Sequence, residues 1–358
     1  MRKKTLLKTL PKATKHFLQN KPINSVTEIK VTRLCNQRCR QCNIHENREG
    51  APYMDYAEYR VIARKLQKYG SLVGMISGGE PLLHPDIIDI LDHARDVFPL
   101  SVSLVSGLYF DYDKIEEVID FCLKNAINIQ TSLDGLGENG DYLRGVKDHA
   151  DIVLSNMRKI STRKKELGSS SFTYANCVLS AKNLHQVPDI IGVCKDAGWE
   201  VTIGLYHSLL DTTKEDDEMK ITDAEALKKT INFLTNNPAI LNLNSFIEGI
   251  PRIIDNNFPD FCPFVDGKRT ATRLTIMHNG EVHLCKGNAI GNLLEQDLDE
   301  IMNSKKYENL LVEYTSCDGC WSSCYTQKYL LFHPQNFKQV FEHGKKLLNL
   351  KGAAKEHL

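Results

Sequence analysis

Residues 31–42 read Val31-Thr32-Arg33-Leu34-Cys35-Asn36-Gln37-Arg38-Cys39-Arg40-Gln41-Cys42, three thiols within eight residues at a spacing of C-x3-C-x2-C. The run Val26–Thr32 reads as a strand, so the thiols fall in the loop just after it. A loop with this spacing can wrap one face of an iron–sulfur cluster, giving three thiolates to three irons and leaving one iron open to a small molecule. Zinc is the alternative, because thiolates suit both metals. Structural zinc, however, takes four ligands in paired C-x2-C units, and only His45 stands nearby as a fourth.

Working outward, short apolar runs alternate with amphipathic segments up to about residue 208. Candidate strands are Val26–Thr32, Leu72–Ser77, Ser101–Ser106, Ile127–Leu133, Phe172–Leu179 and Glu200–Tyr206. Candidate helices between them are Tyr56–Tyr69, Pro85–Val97, Tyr112–Asn125, Ala150–Leu167 and Leu184–Ala197. Such alternation implies parallel strands joined by crossover helices. The expected fold class is α/β: a partial (β/α)6 TIM-like barrel, with functional groups at the C-terminal strand ends. An acidic loop then leads to Thr222-Asp223-Ala224-Glu225, a capping-box pattern that opens a helix running to about Leu234. Further on, Arg273–Met277 and Glu281–Cys285 flank His278-Asn279-Gly280, a hairpin signal because Asn-Gly tolerates positive φ. The expected division is a basic N-terminal helix (1–25), the barrel (26–208), a helical connector (209–255), a small hairpin and cysteine-rich iron–sulfur domain (256–326) and a basic C-terminal helix (327–358).

The bulk properties narrow the class. With 42% hydrophobic and 25% charged residues, the 358-residue chain is neither disordered nor fibrous. Forty-five Lys+Arg balance 45 Asp+Glu, which leaves no global pull toward nucleic acid, and no nucleic-acid partner is expected. Eleven cysteines are too few for a disulfide scaffold at this length, and an odd number cannot all pair. The N-terminus lacks the apolar core of a signal peptide. No stretch reaches the ~18–20 apolar residues of a membrane span. A cytoplasmic, reducing location is therefore expected, where clustered thiols are metal ligands. Both ends are basic, with seven Lys or Arg before Glu28 and Lys338, Lys345, Lys346, Lys351 and Lys355 near the other end. They read as terminal helices with solvated lysines, or as a peripheral contact with anionic lipid or an acidic partner.

Thirty-five residues after Cys42, the second strand ends in Ser77-Gly78-Gly79-Glu80-Pro81. The fourth ends in Ser132-Leu133-Asp134-Gly135, with Arg144 about a dozen residues beyond Ser132. In this combination the chain resembles the radical SAM superfamily. The resemblance implies a 4Fe-4S cluster on Cys35, Cys39 and Cys42 with S-adenosylmethionine at its open iron. Gly78, Gly79 and Glu80 would bind the methionyl amino group, Ser132 (with Ser106 in the preceding strand-end loop) the ribose, and Arg144 the methionyl carboxylate. Two positions depart from the usual pattern: Gln41 where an aromatic residue is common, and Val105-Ser106-Gly107 where many relatives have Thr-Asn-Gly.

Cys262, Cys285 and Cys317-x2-Cys320-x3-Cys324 form a second set, which resembles the SPASM and shorter twitch extensions of the superfamily. Five thiols imply one auxiliary 4Fe-4S cluster. Cys285, Cys317 and Cys320 are its firmest ligands, Cys262 and Cys324 compete for the fourth place, and zinc on the same ligands is the alternative. Cys122 and Cys194 lie on apolar helix faces and read as core thiols. Cys177, in the fifth strand, is a candidate hydrogen-atom donor if it faces the barrel interior, and Gln130, Tyr174 and Asn176 are candidates to line it.

The resemblance implies an enzyme that takes one electron from an external donor such as flavodoxin or ferredoxin. It would cleave S-adenosylmethionine to methionine and a 5′-deoxyadenosyl radical, which then abstracts a hydrogen atom from substrate. The auxiliary cluster would assist oxidation, bond formation or substrate binding. About 25 residues precede the first strand, which favours a small-molecule, sugar or lipid-linked substrate over a peptide. A peptide epimerase or crosslinking maturase is the alternative, and a non-catalytic zinc or iron–sulfur module is the alternative of another class.

Overall fold

The computed structural model describes residues 11–12, 14–16, 18–19, 23–44, 46, 51–207, 213–254, 271–285, 287–317, 320–323, 325–327, 330, 336–342 and 344. Strand and helix alternate through the first two-thirds of the chain. The elements are β1 (Ile23–Lys30), α1 (Tyr56–Tyr69), β2 (Val73–Ser77), α2 (Ile87–Val97), β3 (Ser101–Val105), α3 (Glu116–Lys124) and β4 (Asn128–Ser132). They continue with α4 (Gly137–Arg144), α5 (His149–Glu166), β5 (Thr173–Leu179), α6 (Val187–Asp196), β6 (Glu200–Leu205), α7 (Ala224–Leu234) and α8 (Asn244–Gly249). The last group is β7 (Ala271–Ile276), β8 (Glu281–His283), β9 (Gly291–Asn292), α9 (Leu298–Met302) and α10 (Lys305–Thr315).

Local chemistry sets the helix limits. Asp55 caps α1 in a reciprocal box with Glu58, and Gly70 ends it in the left-handed conformation. In α2 the residues Ile87, Ile90, Leu91, Ala94 and Val97 recur at helical spacing and are all buried. The cap of α7 differs by one residue from the sequence expectation. Asp223, not Thr222, accepts the Ala226 N–H, because a carboxylate is at least as good a cap as a hydroxyl.

Strands β1 to β6 pair in parallel, neighbour to neighbour, into an α/β partial barrel that stays unclosed. The cysteine-rich region's hairpin continues this sheet: β7 lies parallel along the free edge of β1, and β8 returns antiparallel, giving the order β6-β5-β4-β3-β2-β1-β7-β8-β9. The hairpin turn is the expected one, with Gly280 at φ 84°.

Period-two alternation divides each strand between two faces. Thr27, Ile29, Ile76, Leu104, Ile129, Ala175 and Cys177 are fully or nearly fully buried on the helix-packed side. Glu28, Met75, Ser103, Gln130, Tyr174 and Asn176 alternate with them on the concave inner face. That face is polar. Tyr174 Oη donates to Gln130 Oε1 at 2.9 Å, and Thr202 Oγ1 donates to Asn176 Oδ1 at 3.1 Å. No helix among the described residues is long and apolar enough to cross a membrane. Most of the basic N-terminal segment and residues 345–358 lie outside the described residues.

Candidate active site at the strand ends

The thiol loop is fastened on three sides by backbone hydrogen bonds. Gly79 N–H donates to Thr32 O and Glu80 N–H to Leu34 O, both at 2.7 Å. Arg38 N–H donates to Arg144 O at 3.1 Å and Arg40 N–H to Leu143 O at 3.0 Å, which ties the loop to the end of α4. Lys214 N–H donates to Gln41 O at 3.0 Å, and Arg40 grips Asp216 with Nη2 to Oδ2 at 2.6 Å.

The glycine pair has a structural cause here. A Cβ on Gly78 would stand 2.5 Å from Thr32 O, and one on Gly79 would collide with the Leu34 carbonyl. The close approach that demands glycine is therefore between two strand-end loops of this chain.

Cys35, Cys39 and Cys42 are each partly exposed on this loop. Burial pushes the Cys35 thiol up to about 12 and raises that of Cys39 as well. Thiolates here need a metal cation to stabilise them. Cys39 Sγ has Arg144 Nη1 at 3.8 Å. Among the described residues no three His, Cys, Asp or Glu side chains stand close enough to cage one metal ion. The donor set suits a larger multi-iron group on an open rim better than a zinc cage.

Two buried carboxylates flank the loop in opposite electrostatic states. Glu80 is 1% exposed, and burial raises its pKa to about 7 despite hydrogen bonds from the Leu82 and Gly107 N–H groups and the Ser106 hydroxyl. No cation neutralises it among its hydrogen-bond partners. Asp134 accepts Arg144 Nη2 at 2.5 Å, Gln41 Nε2 at 3.0 Å and the Val178 N–H at 2.8 Å. Burial works against the Arg144 guanidinium, but Asp134 and the Cys39 sulfur outweigh it and hold its pKa above the usual value.

Several buried polar atoms gather here without a hydrogen-bond partner: Asn36 Oδ1, Gln37 Nε2, Gln41 Oε1 and Arg144 Nε. Burying such atoms unpaired costs about 1–3 kcal/mol each, so their concentration beside three thiols fits a site completed by a bound polar group. Ser106 and Ser132 stand at the ends of β3 and β4, with Ser106 Oγ accepting the Leu108 N–H at 3.0 Å. Cys177 stands within electrostatic reach of Asp134 and Arg144. It is fully buried with Ala175 and Leu179 on the helix-packed face of β5, opposite Tyr174 and Asn176, so strand parity turns it away from the concave face.

The second thiol set is organised by Tyr314 of α10. Its hydroxyl receives the Cys285 N–H at 3.2 Å and its carbonyl the Cys317 N–H at 3.2 Å. Trp321, next to Cys320, donates to Phe246 O at 2.8 Å and stacks on the Phe246 ring, anchoring the loop to α8. Cys262 and Cys324 lie outside the described residues. Sequence reasoning missed Asp134, Gln37 and Tyr314. Asp134 carried a readable signal, an acid at a strand end ten residues before an arginine. Gln37 and Tyr314 carried none.

The chain belongs to the radical SAM superfamily, whose sequence model matches residues 29–220. SPASM, described as an iron–sulfur cluster-binding domain, matches residues 268–325. It is accordingly an enzyme whose cofactors are S-adenosylmethionine and 4Fe-4S clusters. A probable GTP 3′,8-cyclase of Methanocaldococcus jannaschii is 27% identical over 81% of this chain and 92% of its own length. A PqqA peptide cyclase of Bradyrhizobium diazoefficiens is 25% identical over 47% of this chain. The chain covers 42% of that cyclase and 60% of the subtilosin biosynthesis protein AlbA of Bacillus subtilis, which is 23% identical. Among solved structures, Streptococcus suis SuiB bound to its precursor peptide SuiA superposes with a TM-score of 0.63 at 19% identity, covering 86% of this chain and 70% of that one. Native anSMEcpe with bound AdoMet gives 0.61 at 15% identity, covering 91% and 99%. These likenesses speak for the fold.

Two outcomes follow from the packing and charge. Gly79→Ala lowers unfolding stability by about 1–3 kcal/mol, the usual cost of overpacking. Gly192→Ala, inside α6 with open space around it, is neutral or stabilising by about 0.5–1 kcal/mol. Denaturant unfolding at equal cluster content compares them, and equal effects would contradict the interloop contact. A carboxyl whose pKa is raised from 4.5 to about 7 binds more protons folded than unfolded, so Glu80's contribution to stability falls as pH rises across that window. Glu80→Gln removes this part of the slope in urea unfolding of the SAM-free protein; an unaltered slope would show that Glu80 is not held in a desolvating site.

Proposed function

We propose that Cys35, Cys39 and Cys42 hold the radical-generating 4Fe-4S cluster and that S-adenosylmethionine binds beside the joined thiol and Gly78-Gly79-Glu80 loops. The observation that carries this is the strapped pair of loops, which sets three thiols beside a buried, unneutralised Glu80. Glu80 would pair with the methionyl ammonium, a cation that restores its ionised form. Arg144 keeps its Nε–H for the methionyl carboxylate while Asp134 fixes its fork. Ser106 and Ser132 would meet the ribose. When bound, the cluster supplies the electron that cleaves the carbon–sulfur bond of S-adenosylmethionine. The chain's own share is to hold the nucleoside over the concave face, exclude water and present the substrate C–H. An external reductant such as flavodoxin or ferredoxin would provide the electron. Cys285, Cys317 and Cys320, completed by Cys262 or Cys324, would hold the auxiliary cluster.

For the substrate, a small molecule is supported by the archaeal cyclase, whose name gives a nucleotide and whose length this chain nearly spans. The second reading, peptide modification, is supported about as well by the PqqA cyclase, AlbA and SuiB matches. In either case the anaerobic protein should carry about eight iron per chain and, with dithionite, convert S-adenosylmethionine to 5′-deoxyadenosine. Cys35→Ala should drop iron to about four and abolish cleavage. Cleavage surviving Cys35→Ala would refute the assigned ligand set. Cys285→Ala should leave cleavage uncoupled from product formation, and retained product formation would remove the auxiliary cluster from the reaction.

A further inference from the structure

We propose that Asp134 is a positioning residue that keeps the cluster on Cys35, Cys39 and Cys42 strongly reducing, by offsetting the positive charge that Arg144 brings to Cys39. The inference rests on the radical-enzyme reading of those three thiols. Arg144, 7% exposed at the end of α4, places Nη1 3.8 Å from Cys39 Sγ. A guanidinium stays charged at any working pH. A reduced cluster carries one more negative charge than an oxidised one, so a cation beside a ligand sulfur favours reduction and raises the potential. That opposes the chemistry, because only a strong reductant gives an electron to the carbon–sulfur bond of a sulfonium. A site that uses Arg144 must offset its charge.

Asp134 is built into the place where that offset acts. It is 2% exposed, just beyond the end of β4. Its Oδ2 accepts Arg144 Nη2 at 2.5 Å and Gln41 Nε2 at 3.0 Å, while Oδ1 accepts the Val178 N–H at 2.8 Å. Asn183 Nδ2 donates to the Asp134 and Val178 carbonyls, both at 2.8 Å, which pins the backbone of Asp134 to the loop after β5. The carboxylate is thereby fixed to the guanidinium on one side and, through Gln41, to the loop carrying Cys39 and Cys42 on the other. Neighbouring groups do not replace it. Arg40 is gripped by Asp216, and Glu80 acts on Cys35. His149 and Cys177, both within electrostatic reach of Arg144, are kept uncharged by burial. Asp134 acts on Arg144 and Cys39 alike, so removing its charge leaves the field of the guanidinium at Cys39 uncancelled.

The test is a potentiometric titration of the SAM-free holoprotein at one pH, followed by electron paramagnetic resonance of the reduced clusters. The signal lost in Cys35→Ala identifies the cluster in question, and the auxiliary cluster is the internal reference. Asp134→Asn should favour the reduced form of that cluster about tenfold at a fixed potential, a midpoint about 59 mV higher for a one-electron couple, with the auxiliary midpoint unmoved. Adding Arg144→Gln to that variant should cancel the rise, since the charge that Asp134 offset is then gone. Asp134→Ser serves if the asparagine variant loses its iron. A midpoint in the charge-removed protein equal to or below the native one would overturn the proposal, because a merely structural role predicts no directed change. So would a rise that persists in the double variant, which would deny Arg144 its part. Absence of any signal assignable to Cys35 would overturn the radical-enzyme reading and this proposal with it, whereas a cluster present with an unmoved midpoint sinks the proposal alone.

Discussion

The site depends on two backbone hydrogen bonds, from Gly79 to Thr32 and from Glu80 to Leu34, each at 2.7 Å. They extend the pairing of β1 and β2 past the end of the strands and into the loops. A side chain at either glycine would block them, since Thr32 and Leu34 carbonyls occupy the space a Cβ needs. Because the contact is backbone to backbone, it fixes the thiols relative to Glu80 independently of side-chain rotamers. The other fastenings, to α4 and to Lys214, then close the plate around Cys39 and Cys42. Rigid placement of this kind is what a reactive intermediate requires of its protein.

Around that plate the charges are arranged in three different ways. Asp134 and Arg144 neutralise each other, so they stabilise geometry and contribute little net field. Glu28 and Arg273 do the same between β1 and β7, with burial opposing ionisation while Arg273, Lys30 and Ser77 hold the Glu28 carboxyl down to about 2. This second pair also joins the cysteine-rich hairpin to the barrel, because Arg273 belongs to β7. Glu80 is left at the strand ends as a buried carboxyl with no cation among its hydrogen-bond partners.

Much of this was legible in the sequence. The six parallel strands and five of the helices follow from periodicity, with boundaries displaced by a few residues, as at β1, which spans Ile23–Lys30 where Val26–Thr32 was expected. The short helix α4 was not anticipated. Gly137-Glu-Asn-Gly carries poor helix formers, and tertiary contacts with α5 override that preference. The thiol loop, the glycine–glutamate segment and Arg144 were visible as motifs. What periodicity could not reveal was partnership across the chain: Glu28 with Arg273, Tyr314 with Cys285. Such pairs join residues far apart in sequence, and a side chain's partner is set by register and twist. The edge pairing of β7 with β1 was likewise unreadable, since a hairpin signal does not name the strand it will join. The facing of Cys177 needed the strand's true register before alternation could decide it.

The most direct test of the central claim is Mössbauer spectroscopy of the reconstituted protein with and without S-adenosylmethionine. The account predicts that the nucleoside perturbs one iron site of the cluster on Cys35, Cys39 and Cys42 and leaves the auxiliary irons unchanged. Spectra that do not respond to S-adenosylmethionine, or a response that persists in Cys35→Ala, would contradict it.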